Sequence, residues 1–216
     1  MTHREVATGT TTLDFFGSVP ESGNFGRPWS EICYLYLLRY EMVVDLLKVT
    51  TRDKRYYGIA IFSGLISGVI SAFVKSGTEA ILPPRTPDRI APPVQMLNDF
   101  GIDWHKLVYS YSEQMVYWGG NAIHIIFSIL SAITYCIIAE IFPRVTMWQG
   151  IVFGILFAII CHGIALPVLG LSPNLAQLPL DEIVSEIVGT CLWIWTIELL
   201  RIVLRAKMVE SEFFHG

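Results

Sequence analysis

Long apolar stretches alternate with short polar segments over most of the chain, and four are long enough to cross a membrane as helices. A spanning helix needs about 20 mostly apolar residues. The third stretch is uncharged but too long for one span, and proline and glycine end its helix near Leu169. The fourth is the weakest by hydropathy because Glu186 and Glu198 lie inside it. The pattern predicts spans at about 56–74, at 118–142, within 145–180 and at 183–203.

The segments outside the spans predict an N-terminal extension at 1–55, a transmembrane domain at 56–205 and a tail at 206–216. Within the extension, Ser30 can cap a helix that runs to about residue 49. Its charges fall on one side of the helix, and the other side is apolar, which predicts an interfacial or partner-binding amphipathic helix. The apolar positions are Ile32, Tyr36, Tyr40, Val43 and Leu47.

The connection between the first two spans has two distinct parts. Five prolines within 83–93 predict a stiff loop on the outer side of the membrane. After Asp103, apolar residues from Trp104 to Met115 recur at helical spacing and predict a helix on the outer leaflet.

Composition strengthens the membrane interpretation. Of 216 residues, 53% are hydrophobic and 16% are charged, against roughly 25% charged in an ordinary soluble domain. These values argue against an intrinsically disordered chain, and a net charge of -4 without a basic stripe argues against nucleic-acid binding. We therefore predict an all-α polytopic membrane protein, with the lipid bilayer as its main environment.

The cysteines carry no signal for a disulfide framework or a metal site, because none is paired at C-x-x-C spacing. They are interpreted as small apolar residues that fill space in helices. The side chains of His124, His162 and Glu186 could in principle bind a metal ion, and one of the two histidines could bind a haem iron. Nothing in their spacing requires either ligand. We predict no metal and no cofactor. The cysteines are Cys33, Cys136, Cys161 and Cys191.

Positive charges predict the orientation of the spans, because Lys and Arg favour cytoplasmic loops. Basic residues precede the first span, follow the fourth and include Arg144 between the second and third. The third connection has none, although the first connection carries four and dilutes the signal. The balance predicts that both termini are cytoplasmic.

Small residues at four-residue spacing predict close helix packing within two spans. Gly64 and Gly68 form one stripe, and Gly150 and Gly154 form another. Packing inside the bundle is the simpler interpretation, and the interface of a homodimer is the alternative.

Four titratable residues are predicted to lie in the outer half of the membrane, each on a different span. Ionised groups are costly in hydrocarbon, so they should face the bundle interior and each other. Histidine would be the switch in a proton-responsive or ligand-binding cluster, since its unperturbed pKa lies near 6.5. The alternative is structural, with interhelical hydrogen bonds and side chains that extend to the interface. The four residues are Lys75, His124, His162 and Glu186.

Two pairs are predicted at the inner ends of the spans. Glu140 precedes Arg144 by four residues, and Glu198 precedes Arg201 by three. This order suits helical ion pairs, which are interpreted as interfacial anchors, with a proton gate as the alternative.

Several short strings resemble the YagU family over about residues 56–205. The resemblance implies a small polytopic protein of the bacterial inner membrane, of poorly defined function and linked to acid resistance. It implies no reaction and no site residues, and it does not extend to 1–55. The strings are Lys75-Ser-Gly-Thr-Glu79, Pro83-Pro-Arg85, His124-Ile-Ile-Phe-Ser128, Ala139-Glu-Ile-Phe-Pro143, Trp148-Gln-Gly150, Ser185-Glu186 and Ile197-Glu198.

Two functions remain open at this point, and both are non-enzymatic because H-E-x-x-H, G-x-S-x-G and P-loop motifs are absent. In the first, the protein acts directly in acid tolerance through its outer cluster, as a small channel, carrier or sensor. In the second, the protein is an accessory subunit that packs against a larger membrane protein.

Overall fold

The computed structural model describes the backbone of residues 48–215 and the side chains of residues 48–211. Within that part of the chain, four helices are long and apolar enough to cross a membrane. They are α1 (Tyr57–Ile81), α3 (Trp118–Ile141), α4 (Ile151–Val168) and α5 (Leu180–His215), with a short helix α2 (Pro92–Asp99) between α1 and α3. The all-α polytopic class is thus confirmed. The predicted amphipathic helix at 30–49 lies outside the described residues, apart from its last two, which are not helical.

Helices α1 and α5 are longer than their apolar patterns indicate. The pattern ends the first span at Val74, yet α1 continues through Lys75 to Ile81. A charge ends a lipid-compatible stretch but does not end a helix, and Lys has good helix propensity. Helix α5 likewise begins at Leu180, before the apolar run, and continues to His215.

Glycine brings α1 into close contact with α3. A Cβ atom on Gly64 would lie 2.5 Å from Ile133 Cα, and one on Gly68 would lie 2.5 Å from Ile129 Cα. Only glycine fits at these two positions. The earlier glycine of α1 contacts the later isoleucine of α3, so the two helices are antiparallel. This stripe therefore packs inside the bundle.

The second glycine pair, Gly150 and Gly154, does not form the predicted stripe along one helix. Gly154 faces α5, where an added Cβ would lie 3.1 Å from Cys191 Cα. Gly150 is not in the helix: it precedes α4 with a φ of 83°, a left-handed conformation that favours glycine. An added Cβ would also lie 2.8 Å from the Tyr135 hydroxyl.

Helix α4 contains one wide turn. Residues Cys161–Ala165 form a π-helical segment, in which the Leu166 amide donates to the Cys161 carbonyl five residues earlier. Pro167 follows, and it has no amide hydrogen to donate. Wide turns of this type frequently lie at functional sites, and this one carries His162.

The predicted outer helix after Asp103 is wrong. Residues Trp104–Lys106 form one 3₁₀ turn, and strands β1 (Tyr109–Tyr111) and β2 (Gln114–Val116) form an antiparallel hairpin. Ser112 and Glu113 turn with φ values of 49° and 62°, which matches a tight hairpin turn. Tyr, Met and Val near this turn suit strands as well as they suit the helical spacing.

The buried core lies between α1, α3 and α5, with Phe153 and Phe157 of α4 packed against it. The outward faces of the helices expose large apolar side chains such as Leu65, Phe73 and Leu156, as expected where lipid replaces water. The core residues are Ala60, Ala132, Tyr135, Cys136, Trp193, Ile194 and Ile197.

Candidate functional site

Charged side chains meet at both ends of the bundle. We call the end that carries α2 and the hairpin the distal end, and the opposite end the proximal end. The distal cluster consists of Lys75, Glu79, Arg85, His162 and Glu186. It joins α1, α4, α5 and the loop after α1.

Glu186 is the centre of the distal cluster. Lys75 Nζ donates to Glu186 Oε2 at 2.8 Å, and His162 Nε2 lies 3.3 Å from the same oxygen. Arg85 Nη2 lies 3.7 Å from the other oxygen, Oε1. Glu79 Oε1 lies 3.3 Å from Lys75 Nζ, and Glu79 Oε2 lies 3.7 Å from Arg85 Nη1. The side chains of Lys75 and Glu186 are only 7% and 12% exposed.

Local sequence explains how these groups reach one another. Lys75 and Glu79 are four residues apart on α1 and so share a face. Gly189 lies beside the ammonium group, where an added Cβ would be 2.9 Å from Lys75 Nζ. The absence of a side chain on α5 therefore makes room for the Lys75 ammonium next to Glu186.

The charges of the distal cluster balance when His162 is neutral. Two cations, Lys75 and Arg85, face two carboxylates, Glu79 and Glu186. Protonation of His162 would add one positive charge against the oxygen that Lys75 already contacts. The charge of the cluster therefore depends on whether His162 is protonated, and net charge inside a membrane is costly.

The structure brings together three of the four residues that the sequence proposed. The fourth, His124, makes no ion pair among the described residues. Its Nδ1 atom lies 3.4 Å from the exposed Ser76 hydroxyl. Sequence reasoning missed Glu79 and Arg85 as members, although both stand inside the strings that carried the family resemblance.

A second ion pair covers the distal end. The Arg89 guanidinium binds the Glu182 carboxylate on α5, and it also donates to the Pro84 carbonyl at 3.4 Å. Glu182 is buried. The proline-rich loop is thus fixed to the start of α5 through Arg89.

At the proximal end, Glu198 accepts from Tyr135 Oη at 3.0 Å and from Arg201 Nε and Nη2 at 2.6 and 2.8 Å. The predicted Glu198–Arg201 contact is therefore present. Glu198 is only 2% exposed, so it is a core residue rather than an interfacial anchor.

Glu140 pairs differently from its predicted ion pair. It binds Arg205 of α5, with Nη2 at 3.1 Å from Oε2, and accepts from the Tyr56 amide at 3.2 Å. Helix α3 ends at Ile141, and Arg144 lies in the next 3₁₀ turn, so the two are no longer on one helical face. Glu140 is also buried and joins three segments of the chain.

Within the described residues, no group of three His, Cys, Asp or Glu is arranged to hold a metal ion. Cys136, Cys161 and Cys191 are free thiols. The ammonium, guanidinium, imidazole and carboxylate groups of the distal cluster can exchange hydrogen bonds and protons.

The fold and its buried charges define a polytopic membrane protein with charged groups in its interior. The family described as "Protein of unknown function (DUF1440)" matches residues 69–199, more than half of the chain. The inner membrane protein YagU of Escherichia coli (strain K12) is 38% identical over 194 residues, covering 78% of this chain and 95% of that protein. The chain belongs to the YagU family of multi-pass inner membrane proteins. No solved structure matches it.

Proposed function

We propose that the protein contributes to acid tolerance by responding to proton concentration through the distal cluster. The observation that carries this proposal is the contact of His162 Nε2 and Lys75 Nζ with the same oxygen of Glu186. Protonation of His162 changes the cluster from neutral to positive and weakens the attraction between Lys75 and Glu186. The resemblance to the YagU family, which implied acid resistance, supports the same function.

Three segments around His162 contribute charges to its surroundings. Lys75 and Glu79 come from α1, Arg85 from the following loop, and Glu186 from α5. Histidine titrates between pH 5 and 8 when unperturbed, and the other four groups do not. His124 interacts with the same four charged groups but makes no ion pair with them, whereas His162 Nε2 lies 3.3 Å from Glu186. We therefore assign the pH response to His162.

The proposal includes an orientation in which the distal end faces the periplasm and both termini are cytoplasmic. Arg52, Lys54, Arg144, Arg201 and Arg205 lie towards the proximal end, which the positive-inside rule places in the cytoplasm. The distal cluster would then meet external acid first.

The test replaces His162 with Gln in cells that lack the native gene. Gln keeps a polar side chain and cannot titrate, so cytoplasmic pH and survival after an acid challenge should change at an equal protein level. Glu186→Gln should shift the pH midpoint of that response without abolishing it. The matched control is His105→Gln, because His105 stacks on Trp104 outside the spans. A wild-type response in His162→Gln cells would refute the proposal.

A second candidate function is that of an accessory subunit in a larger membrane assembly. It is favoured by the position of α4, which packs mainly against α5 and leaves Ile155, Leu156 and Ile159 exposed. Lipid or a partner helix can cover this face. If a partner is present, the protein should co-purify with another chain in mild detergent. The predicted amphipathic helix of the N-terminal extension is a second surface for such a partner. A double variant with Val43→Asp and Leu47→Asp should then release the partner at every pH.

A further inference from the structure

A line of hydroxyl groups runs through the bundle between the two charged ends. Ser63, Ser67 and Ser71 follow one another at four-residue intervals on α1, and the next positions in that series are Lys75 and Glu79. All three serines are fully buried, at 0% exposure. The series therefore leads from the distal cluster into the proximal half of the bundle.

Two other helices add hydroxyls to this line. Ser128 of α3 lies 3.2 Å from Ser71 Oγ, and Thr190 of α5 lies one turn after Glu186. Both residues are buried. We call the five residues the hydroxyl column: Ser63, Ser67, Ser71, Ser128 and Thr190.

The hydroxyls of Ser63 and Thr190 are buried and have no hydrogen-bond partner. Ser and Thr in helices usually donate to a carbonyl one turn earlier. Thr134 and Thr196 do so in this protein, at 2.8 Å in each case. Within the column, Ser67 and Ser71 donate to the Gly64 and Gly68 carbonyls at 3.4 and 3.2 Å. Ser63 and Thr190 instead leave their hydroxyls unpaired in the interior. Buried hydroxyls are normally satisfied by protein or by water, so each of these two hydroxyls could bond to a water molecule.

The spacing of the column suits single water molecules. Neighbouring serines are one turn apart, about 6 Å along the axis. Two successive O–H···O hydrogen bonds span about 5.5 Å. One water between two hydroxyls would therefore complete a chain of hydrogen bonds.

At its proximal end the column lies one helical turn from a core residue, Ala60. Ser63 follows Ala60 by three residues, and Ala60 packs in the same core as Tyr135. The Tyr135 hydroxyl donates to Glu198 at 3.0 Å. At the middle of the column, Trp193 Nε1 donates to Ser128 Oγ at 2.8 Å, and Ser128 donates to the Gly68 carbonyl at 2.7 Å. These bonds hold Ser128 in position beside Ser71.

We propose that the hydroxyl column holds a file of water molecules and relays protons between the distal cluster and Glu198. Each water accepts a proton from the distal side and releases another to its proximal neighbour, so that nothing is consumed and one positive charge moves. The relay rests on the proposed function only at its distal end, where His162 and Glu186 would exchange the proton.

The test measures proton flux into vesicles of phosphatidylethanolamine and phosphatidylglycerol that contain the purified full chain and a trapped pH-sensitive dye. Valinomycin and a potassium gradient compensate the moving charge. The interior of vesicles that contain the wild-type protein should become acidic faster than the interior of vesicles without protein. Ser63→Ala combined with Thr190→Val should lower this flux by about tenfold, the rate equivalent of roughly one lost hydrogen bond.

Two further variants keep the test specific. Thr134→Val removes a hydroxyl from the exposed face of α3 and should leave the flux unchanged. Thr190→Ser retains the hydroxyl and should also conduct. A wild-type flux equal to that of empty vesicles would overturn the relay, and so would full flux in the folded double variant.

The relay and the proposed function can fail independently. A cluster that only senses acid needs no flux, so absent flux leaves the His162→Gln response in cells unaffected. Conversely, normal acid tolerance in His162→Gln cells would refute the sensing role and leave the flux measurement intact.

Discussion

Gly189 lies directly against Lys75, so that a Cβ atom on the glycine would be 2.9 Å from the ammonium nitrogen. This contact predicts that Gly189→Ala moves the end of the Lys75 side chain away from Glu186. Alanine gains helix propensity at Gly189 as it does at Gly77, but at Gly189 it also disturbs a buried charged hydrogen bond. We therefore expect the free energy of unfolding to be about 1–3 kcal/mol lower than that of Gly77→Ala. Thermal unfolding in detergent, followed by circular dichroism, measures this difference.

The control for this variant is Gly77→Ala. Nothing lies within 4 Å of a Cβ on Gly77, and Ala favours a helix over Gly by about 1 kcal/mol. Gly77→Ala should therefore be neutral or stabilising. Equal unfolding temperatures for the two alanine variants would show that Gly189 makes no room for Lys75.

Gly68→Ala is expected to separate α1 from α3. The new Cβ would lie 2.5 Å from the Ile129 backbone, which cannot give way as a flexible side chain can. Overpacking of this type costs about 1–3 kcal/mol or more. The fraction of protein that stays monodisperse after heating in detergent should fall well below that of Gly77→Ala. Unchanged heat resistance would mean that the helices are further apart than described.

The buried pair of Glu198 and Arg201 predicts a strong coupling. Replacing Glu198 with Leu leaves Arg201 buried without its carboxylate, which typically costs about 3–5 kcal/mol. Adding Arg201→Met removes the unpaired charge and should recover much of that loss. A double-mutant cycle on thermal unfolding measures the coupling. Additive effects of the two substitutions would show that the two side chains do not depend on each other.

Sequence patterns predict the spans well because burial in lipid depends on composition along one helix. They set the end of α1 too early because Lys75 breaks the apolar run, although its charge is compensated by Glu186 of a distant helix. Partners that come from separate segments, such as Glu140 with Arg205, cannot be derived from spacing. The serine series at 63, 67 and 71 is visible in the sequence, but only the structure shows that it faces inward.

The hairpin shows a different limit. Apolar spacing from Trp104 to Met115 fits a helix, yet Tyr109 pairs with Val116 across a tight turn. Short segments of aromatic and β-branched residues fit both periods. The turn at Ser112 and Glu113 makes the segment a hairpin rather than a helix. The sequence does not indicate this turn, because neither residue is the glycine that usually marks it.

The orientation of the chain gives the last prediction. Single cysteines are placed at positions 10, 90 and 212 in a background without native cysteines, and intact cells are treated with an impermeant thiol reagent. The cysteine that replaces Ile90 should be labelled, because Ile90 is exposed in the loop at the distal end. Positions 10 and 212 should be shielded, because the excess of Lys and Arg at the proximal end favours the cytoplasm. Permeabilised cells should label all three positions, which controls for reactivity. Labelling of either terminal position in intact cells, with position 90 protected, would reverse the orientation and place the distal cluster towards the cytoplasm.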